Sequence, residues 1–271
     1  MSTDNEIKEM VKEKYGAIAL QSKEENQSSC CGSGCGCSSV EFSVMAEDYK
    51  TLPGYVPDAD LALGCGLPTE FAQIKPGNTI VDLGSGAGND CFIARSIVGE
   101  TGRVIGIDMT VPMIEKARAN AAKLGFTNVD FRLGDIETMP IDNDTADVVV
   151  SNCVMNLVPD KLNAFAETYR ISMPGGHFSI SDIVLQGELT DELRKEASLY
   201  AGCISGAVQK QEYLRVIRES GFTNITVQKE RTIDIPNEVL ARVLTLEQLR
   251  EFKKTRVGIF SITVYAEKPK S

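Results

Sequence analysis

Eight cysteines stand in a chain of 271 residues that carries a single histidine. Three of them occur one at a time in otherwise ordinary globular sequence: Cys65 in ALGCGLP, Cys153 in SNCVMNLVPDK and Cys203 in LYAGCISGA. Thiolates hold soft elements that carboxylates and hydroxyls hold poorly. A free cysteine taken alone most often packs as a small buried hydrophobe, so the surroundings of each thiol must decide. Four more, Cys30, Cys31, Cys35 and Cys37, crowd into CCGSGCGC, whose spacing is not the paired set of a structural zinc site. The stretch from Gln21 to Ser39 is Ser, Gly, Cys and charge, which reads as a thiol-bearing linker, with metal storage as the alternative. Cys91 reads as packing. His177 follows Pro174, Gly175 and Gly176 at a turn, so it is not expected to act as a catalytic base.

The second chemical feature is a glycine-rich turn, Val81-Asp82-Leu83-Gly84-Ser85-Gly86-Ala87-Gly88, placed after an apolar run and before a helical one. Its glycines permit a tight turn and close approach of a ligand to the backbone. A dinucleotide also binds at such turns. Asp82 two residues before the first glycine, and GxGxG in place of GxGxxG, favour S-adenosylmethionine instead. Asp108 closes the next strand, where its carboxylate can accept from ribose hydroxyls, and Met109 beside it would cover the adenine. Asp135 and Ile136 follow the third strand and offer the adenine amino group an acceptor and the ring an apolar contact. Asn152 completes the set at the end of the fourth strand. These residues, with the MPGG turn before HFSISDI, resemble the class I S-adenosylmethionine-dependent methyltransferases over about Thr79 to Leu185.

The elements that must position these groups follow from periodicity. Ile7, Met10, Val11, Tyr15 and Ile18 recur at helical spacing over residues 5 to 19. From Thr79 the strands TIVDLGSG, RVIGID, VDFRLGD, ADVVVSN and HFSISDIVL alternate with helices at Asp90 to Val98, Pro112 to Leu124 and Lys161 to Ile171, the pattern of a doubly wound α/β sheet. ELTDELRKEASLYAGCISGAV and QKQEYLRVIRESGF read as helices, the second ended by Gly221. TNITVQKE and IFSITVYAEKP would finish the sheet with an antiparallel edge. The expected organisation is an N-terminal helix and Cys-rich segment over 1–45, an S-adenosylmethionine-binding domain over 46–185 and a C-terminal α+β extension over 186–271. A formal net charge of -10 argues against a nucleic-acid partner. No apolar run is long enough to span a bilayer or to form a secretory signal, so the chain is expected in the cytoplasm, as a monomer.

LGCGLP, SNCVMNLVPDK and LYAGCISGA together resemble the three cysteine motifs of the arsenite methyltransferases, and an N-terminal cysteine cluster is common in microbial members of that family. The resemblance covers essentially the whole chain. It implies arsenite as substrate, Cys153 and Cys203 as the principal arsenic ligands, and Cys65 as a third ligand or redox thiol. Cys65 would then form a disulfide during turnover with an N-terminal cysteine or another site thiol, and thioredoxin or glutathione would restore it. Two other readings compete: methylation of another small organic acceptor, which needs neither Cys153 nor Cys203, and soft-metalloid binding without turnover.

Overall fold

The computed structural model describes residues 4–21, 48–189, 206–234, 237–242, 244–254 and 257–270. The chain enters through helix α1 (Asp4–Ala19), then a 3-10 turn at Tyr49–Thr51, a second at Pro57–Ala59 and the single helical turn α2 (Pro68–Phe71). Strand β1 (Thr79–Leu83), α3 (Asn89–Val98), β2 (Arg103–Asp108), α4 (Val111–Leu124) and β3 (Val129–Leu133) form one wing. The other holds β4 (Ala146–Asn152), a 3-10 turn at Met155–Leu157, α5 (Lys161–Ile171), β5 (Ser172–Gln186), α6 (Lys210–Glu219) and β6 (Thr223–Ile233). Short helices α7 (Asn237–Leu240) and α8 (Leu246–Lys254) lead to β7 (Gly258–Glu267).

All seven strands belong to one sheet in the order β3-β2-β1-β4-β5-β7-β6. β1 to β5 pair in parallel, and β7 runs antiparallel between β5 and β6. Side chains of a strand point alternately to opposite faces, and the central strands are apolar on both because both are covered. Ile80, Val104, Val148 and Val150 pack under α3 and α4, while Val81, Ile105, Ile107 and Val149 pack under α5 and α6. Phe92 and Phe131 meet edge to face in the first core, Phe165 and Tyr213 in the second. Truncating such a buried ring to Ala costs about 3–5 kcal/mol.

The helices expected at 5–19, Asp90–Val98, Pro112–Leu124, Lys161–Ile171 and within QKQEYLRVIRESGF appear within a residue of their predicted starts. Helix α1 buries Ala19 and half-buries Ile7, Val11, Tyr15 and Ile18, but Met10 is 58 % exposed. MPGG lies inside β5 rather than before it: the strand runs through Pro174 and Gly175, and the pairing with β4 shifts register between Ala146 and Val148. The Cys-rich stretch, with Cys30, Cys31, Cys35 and Cys37, and most of the predicted helix carrying Cys203 lie outside the described residues. Strand order reverses between β1 and β4, and ligands of open α/β sheets bind beyond the strand ends at such a switch.

Candidate active site

A cleft opens at that switch, bordered by the glycine loop, the ends of β2, β3 and β4, and helix α1. Gly84 has φ +67°, and a Cβ there would fall 2.4 Å from Val154 Cγ2, so the loop after β1 and the turn after β4 can touch only through glycine. The carboxylate of Asp108 clamps the loop. It accepts from Gly86 N at 3.0 Å and from Thr110 N at 2.8 Å, holding the turn and the entry to α4 together. Burial pushes the Asp108 carboxyl up from its ordinary range, against the pull of those N–H groups.

Of the predicted cofactor residues, Asp82, Gly84, Ser85, Gly86, Asp108, Met109, Asp135, Ile136 and Asn152 all line this cleft. Gly88 has φ +99° and a Cβ there would fall 2.8 Å from Phe131, so its part is to let α3 start against the aromatic core. Asp82 is 2 % exposed and accepts from Cys91 Sγ at 3.2 Å. Burial, then the neighbouring Asp90 charge, hold its carboxyl well above the usual carboxylate range. Cys91 is fully buried in the core, and its thiol is pushed well up by burial and by Asp82.

Asp135 is already engaged. Its Oδ2 accepts from Lys8 Nζ at 2.7 Å, and Lys8 also donates to Glu137 at 2.5 Å. Lys8, Val11 and Tyr15 line the cleft, so α1 forms part of its wall. Sequence reasoning found the amphipathic helix but did not single out Lys8, because its partners lie 127 and 129 residues away.

Two thiols meet at the cleft edge. Cys65 and Cys153 are joined by a disulfide with Cα atoms 5.8 Å apart, across 88 residues of sequence. Both are buried, and Cys153 lines the cleft. Cys153 adopts φ +60°, a conformation uncommon outside glycine, and its N–H donates to Ser181 O at 2.8 Å. Ser261 Oγ donates to Cys65 O at 2.7 Å. Cys203 lies outside the described residues.

Asn152, the residue before Cys153, holds the Cys65 loop. Its Oδ1 accepts from Cys65 N at 3.0 Å and Gly66 N at 3.3 Å, and its Nδ2 donates to Gly66 O at 2.8 Å, to Tyr49 Oη and to Asp90 Oδ2 at 3.3 Å. Tyr49, Asp60 and Asp90 are cleft residues that the sequence reading did not select. Asp90 carried a usable signal, since a carboxylate one residue inside a helix that follows a glycine loop faces the strand ends. Tyr49 and Asp60 come from irregular chain and carried none.

Among the described residues, five carboxylates (Asp60, Asp82, Asp90, Asp108 and Asp135) and one cation, Lys8, line the cleft. Such a balance repels the pyrophosphate of a dinucleotide and suits a cationic ligand. Ser85 Oγ, Asn89 Oδ1 and Asp90 Oδ1 are buried there with no partner among the described residues, and buried polar atoms of that kind are normally satisfied. The residues present therefore fit a ligand with hydroxyl and ammonium donors.

The sheet order and the acidic cleft on a glycine loop define a class I S-adenosylmethionine-dependent methyltransferase. A methyltransferase domain model matches residues 74–221, more than half of the chain. An arsenite methyltransferase of Halobacterium salinarum is 39% identical over 249 residues, 84% of this chain and 62% of that protein. The arsenite methyltransferase of Homo sapiens is 33% identical over 270 residues, 94% of this chain and 70% of that protein. The crystal structure of an arsenic(III) S-adenosylmethionine methyltransferase from Chlamydomonas reinhardtii superposes with a TM-score of 0.64 at 33% identity, covering 76% of this chain and 68% of that one. The chain belongs to the arsenite methyltransferase family, and it spans less than two thirds of the Halobacterium protein's length. No helix among the described residues is long and apolar enough to cross a membrane.

Proposed function

We propose that this chain transfers a methyl group from S-adenosylmethionine to trivalent arsenic held on its own thiolates. The observation that carries the reading is that Cys153 lines the same cleft as the glycine loop and stands within bonding distance of Cys65. The names of the relatives point to the same acceptor. S-adenosylmethionine supplies an electrophilic methyl group on a sulfonium centre. Gly84, Ser85 and Gly86 would hold its amino-acid portion, Asp108 the ribose hydroxyls, and Met109, Ile136 and Asp135 the adenine.

Cys153 and Cys203 would carry the arsenic, with Cys65 as third ligand or redox thiol. Gly206, three residues beyond Cys203, packs against the turn after Cys153 so closely that a Cβ would fall 1.9 Å from Asn156 O. Thiolate-bound As(III) retains a lone pair, so the acceptor needs no general base. His177 accordingly serves elsewhere: its Nε2 lies 2.7 Å from Ala72 O and its ring packs on Tyr265. Catalysis would come from proximity and alignment of the reactants.

Forming the As–C bond oxidises arsenic formally by two electrons. Two thiolates that leave as a disulfide return both, and the Cys65–Cys153 bond is the product such a step would leave. A thioredoxin or glutathione system would then reopen it by thiol–disulfide exchange, which fits a monomer working in the cytoplasm. The test is incubation with arsenite, S-adenosylmethionine and reduced thioredoxin, with arsenic species separated and quantified. Cofactor-dependent methylated arsenic is expected, and Cys153→Ser or Cys203→Ser should abolish it while donor binding by calorimetry stays equal to that of the reduced wild type. Arsenite bound without methylation would sink the enzymatic reading, neither binding nor turnover would redirect it to an organic acceptor, and full arsenic methylation in both serine variants would overturn Cys153 and Cys203 as the arsenic ligands.

A further inference from the structure

Tyr49, Asn152 and Asp90 connect the two halves of the site, and nothing in the methyl-transfer chemistry above uses the connection. Tyr49 Oη lies 3.0 Å from Gly66 O and 3.1 Å from Asp90 Oδ2. Asn152 Nδ2 reaches the same two acceptors and Tyr49 Oη as well. A phenol has one hydrogen to donate and an amide nitrogen two, so three hydrogens serve these five contacts. The Tyr49 hydrogen must choose between Asp90 and the Gly66 carbonyl.

The two ends of the network are chemically distinct. One end is the backbone of the loop that carries Cys65, held at Cys65 N, Gly66 N and Gly66 O. The other is Asp90, 9 % exposed, lining the cleft with Oδ1 unpartnered among the described residues. A carboxylate in that state is an acceptor waiting for a ligand donor. A cation at Oδ1 weakens the hold of Asp90 on the Tyr49 and Asn152 hydrogens and releases them toward Gly66 O. A move of the Cys65 loop, once its bond to Cys153 opens, changes the same competition from the opposite end.

We propose that Tyr49 is a positioning residue which, with Asn152, couples occupancy of the donor cleft at Asp90 to the redox state of the Cys65–Cys153 pair. This rests on the donor reading given above. Coupling between sites is reciprocal: if the disulfide and dithiol forms bind the donor with different affinities, the donor shifts the disulfide's equilibrium with a dithiol by the same factor. In that exchange an external dithiol is oxidised to its disulfide as Cys65–S–S–Cys153 takes up two electrons and two protons to give two thiols.

The test uses the full chain and S-adenosylhomocysteine, which binds without turnover. Its Kd is measured by calorimetry on protein held in dithiothreitol and on protein oxidised to the mapped Cys65–Cys153 bond. The fraction of that bond surviving in graded dithiothreitol buffers is then measured by alkylation and mass spectrometry, with and without the ligand. Wild type should show a Kd ratio of about fivefold or more between the two forms, with a matching shift in the redox midpoint. In Tyr49→Phe the ratio should fall to within twofold of unity while binding persists in both forms, and Tyr49→Leu should repeat that result should the phenylalanine variant fail to fold. A wild-type ratio below fivefold overturns the coupling, as does a ratio that survives in the folded variants. Absence of any binding by wild type in both forms would instead overturn the donor reading itself.

Discussion

Two tyrosine–aspartate pairs are buried in this molecule at the same separation, Tyr49 Oη to Asp90 Oδ2 and Tyr213 Oη to Asp182 Oδ2, both 3.1 Å. Burial is the largest influence on each acid, pushing Asp90 up to about 6 and Asp182 up to about 7. Their remaining surroundings differ. Asp182 is closed on every side: its Oδ1 accepts from Ile183 N at 2.9 Å, the Asn156 backbone adds another bond, and Lys161 supplies a compensating charge. Asp90 lines the cleft and keeps its Oδ1 without a partner among the described residues. The same pair of side chains thus locks α6 to β5 in one place and leaves an unsatisfied acceptor in a residue of the cleft wall in the other. A satisfied buried polar network rigidifies, and an incomplete one marks a site where something else completes it.

The comparison breaks most visibly in activity. Asp90→Asn removes a charge opposite a cationic donor, a loss of about 1.5–3 kcal/mol for a charged hydrogen bond, so kcat/KM for the donor should fall roughly ten- to hundredfold. Asp182→Asn should leave it within about threefold. Equal losses in both variants would show that the two pairs are not different in kind.

Stability against pH sharpens it next. Because both acids have folded values raised above 3.8, the folded chain keeps protons that the unfolded chain has released. Stability is therefore full below about pH 4 with respect to these groups, and falls as pH rises toward about 6 for Asp90 and about 7 for Asp182. The Asp182 contribution has an upper bound of roughly 4 kcal/mol. Urea midpoints at pH 5 and pH 8 should lie closer together in Asp182→Asn than in wild type; an unchanged gap would mean that Asp182 does not titrate in that range.

Tyr213→Phe strips the buried carboxylate of one partner and should lower unfolding free energy by about 1–3 kcal/mol, measured by urea titration, with donor affinity unaltered. The smallest effect belongs to Lys8. A partly exposed ion pair contributes at most about 1 kcal/mol, so Lys8→Met should barely shift the urea midpoint. It should, however, speed amide exchange across Asp4–Ala19, because the pairs to Asp135 and Glu137 pin α1 over the cleft. Unaltered exchange there would leave α1 held by its apolar contacts alone.

Legibility in the sequence followed the physics of each segment. The runs in β1, β2 and β4 are apolar on both faces because both are covered, and that signature survives without any alignment. The glycine loop was legible because Gly84 and Gly86 adopt positive φ, which glycine takes without steric cost. Cys65 was assigned a partner only as one of several thiols, since nothing local distinguishes a bond spanning 88 residues from one to a nearer cysteine. Tyr49 lies in MAEDYKTLPG, a stretch with neither period nor motif. Lys8 looked like one more solvated residue of an amphipathic helix.

The sequence by itself determined the doubly wound order of elements, the acids and glycines at the strand ends, and three dispersed thiols in chemically telling contexts, because these depend on local periodicity and residue type. Tertiary structure decided which thiol meets Cys153, that Asp135 is paired with Lys8 across the cleft, and that Asn152 serves the Cys65 loop as well as the cleft wall. Those outcomes depend on where the loops beyond Tyr49 and Asn152 come to rest. Chain far apart in sequence is brought together there by the burial of the sheet faces, a driving force that has no direction and leaves no local mark.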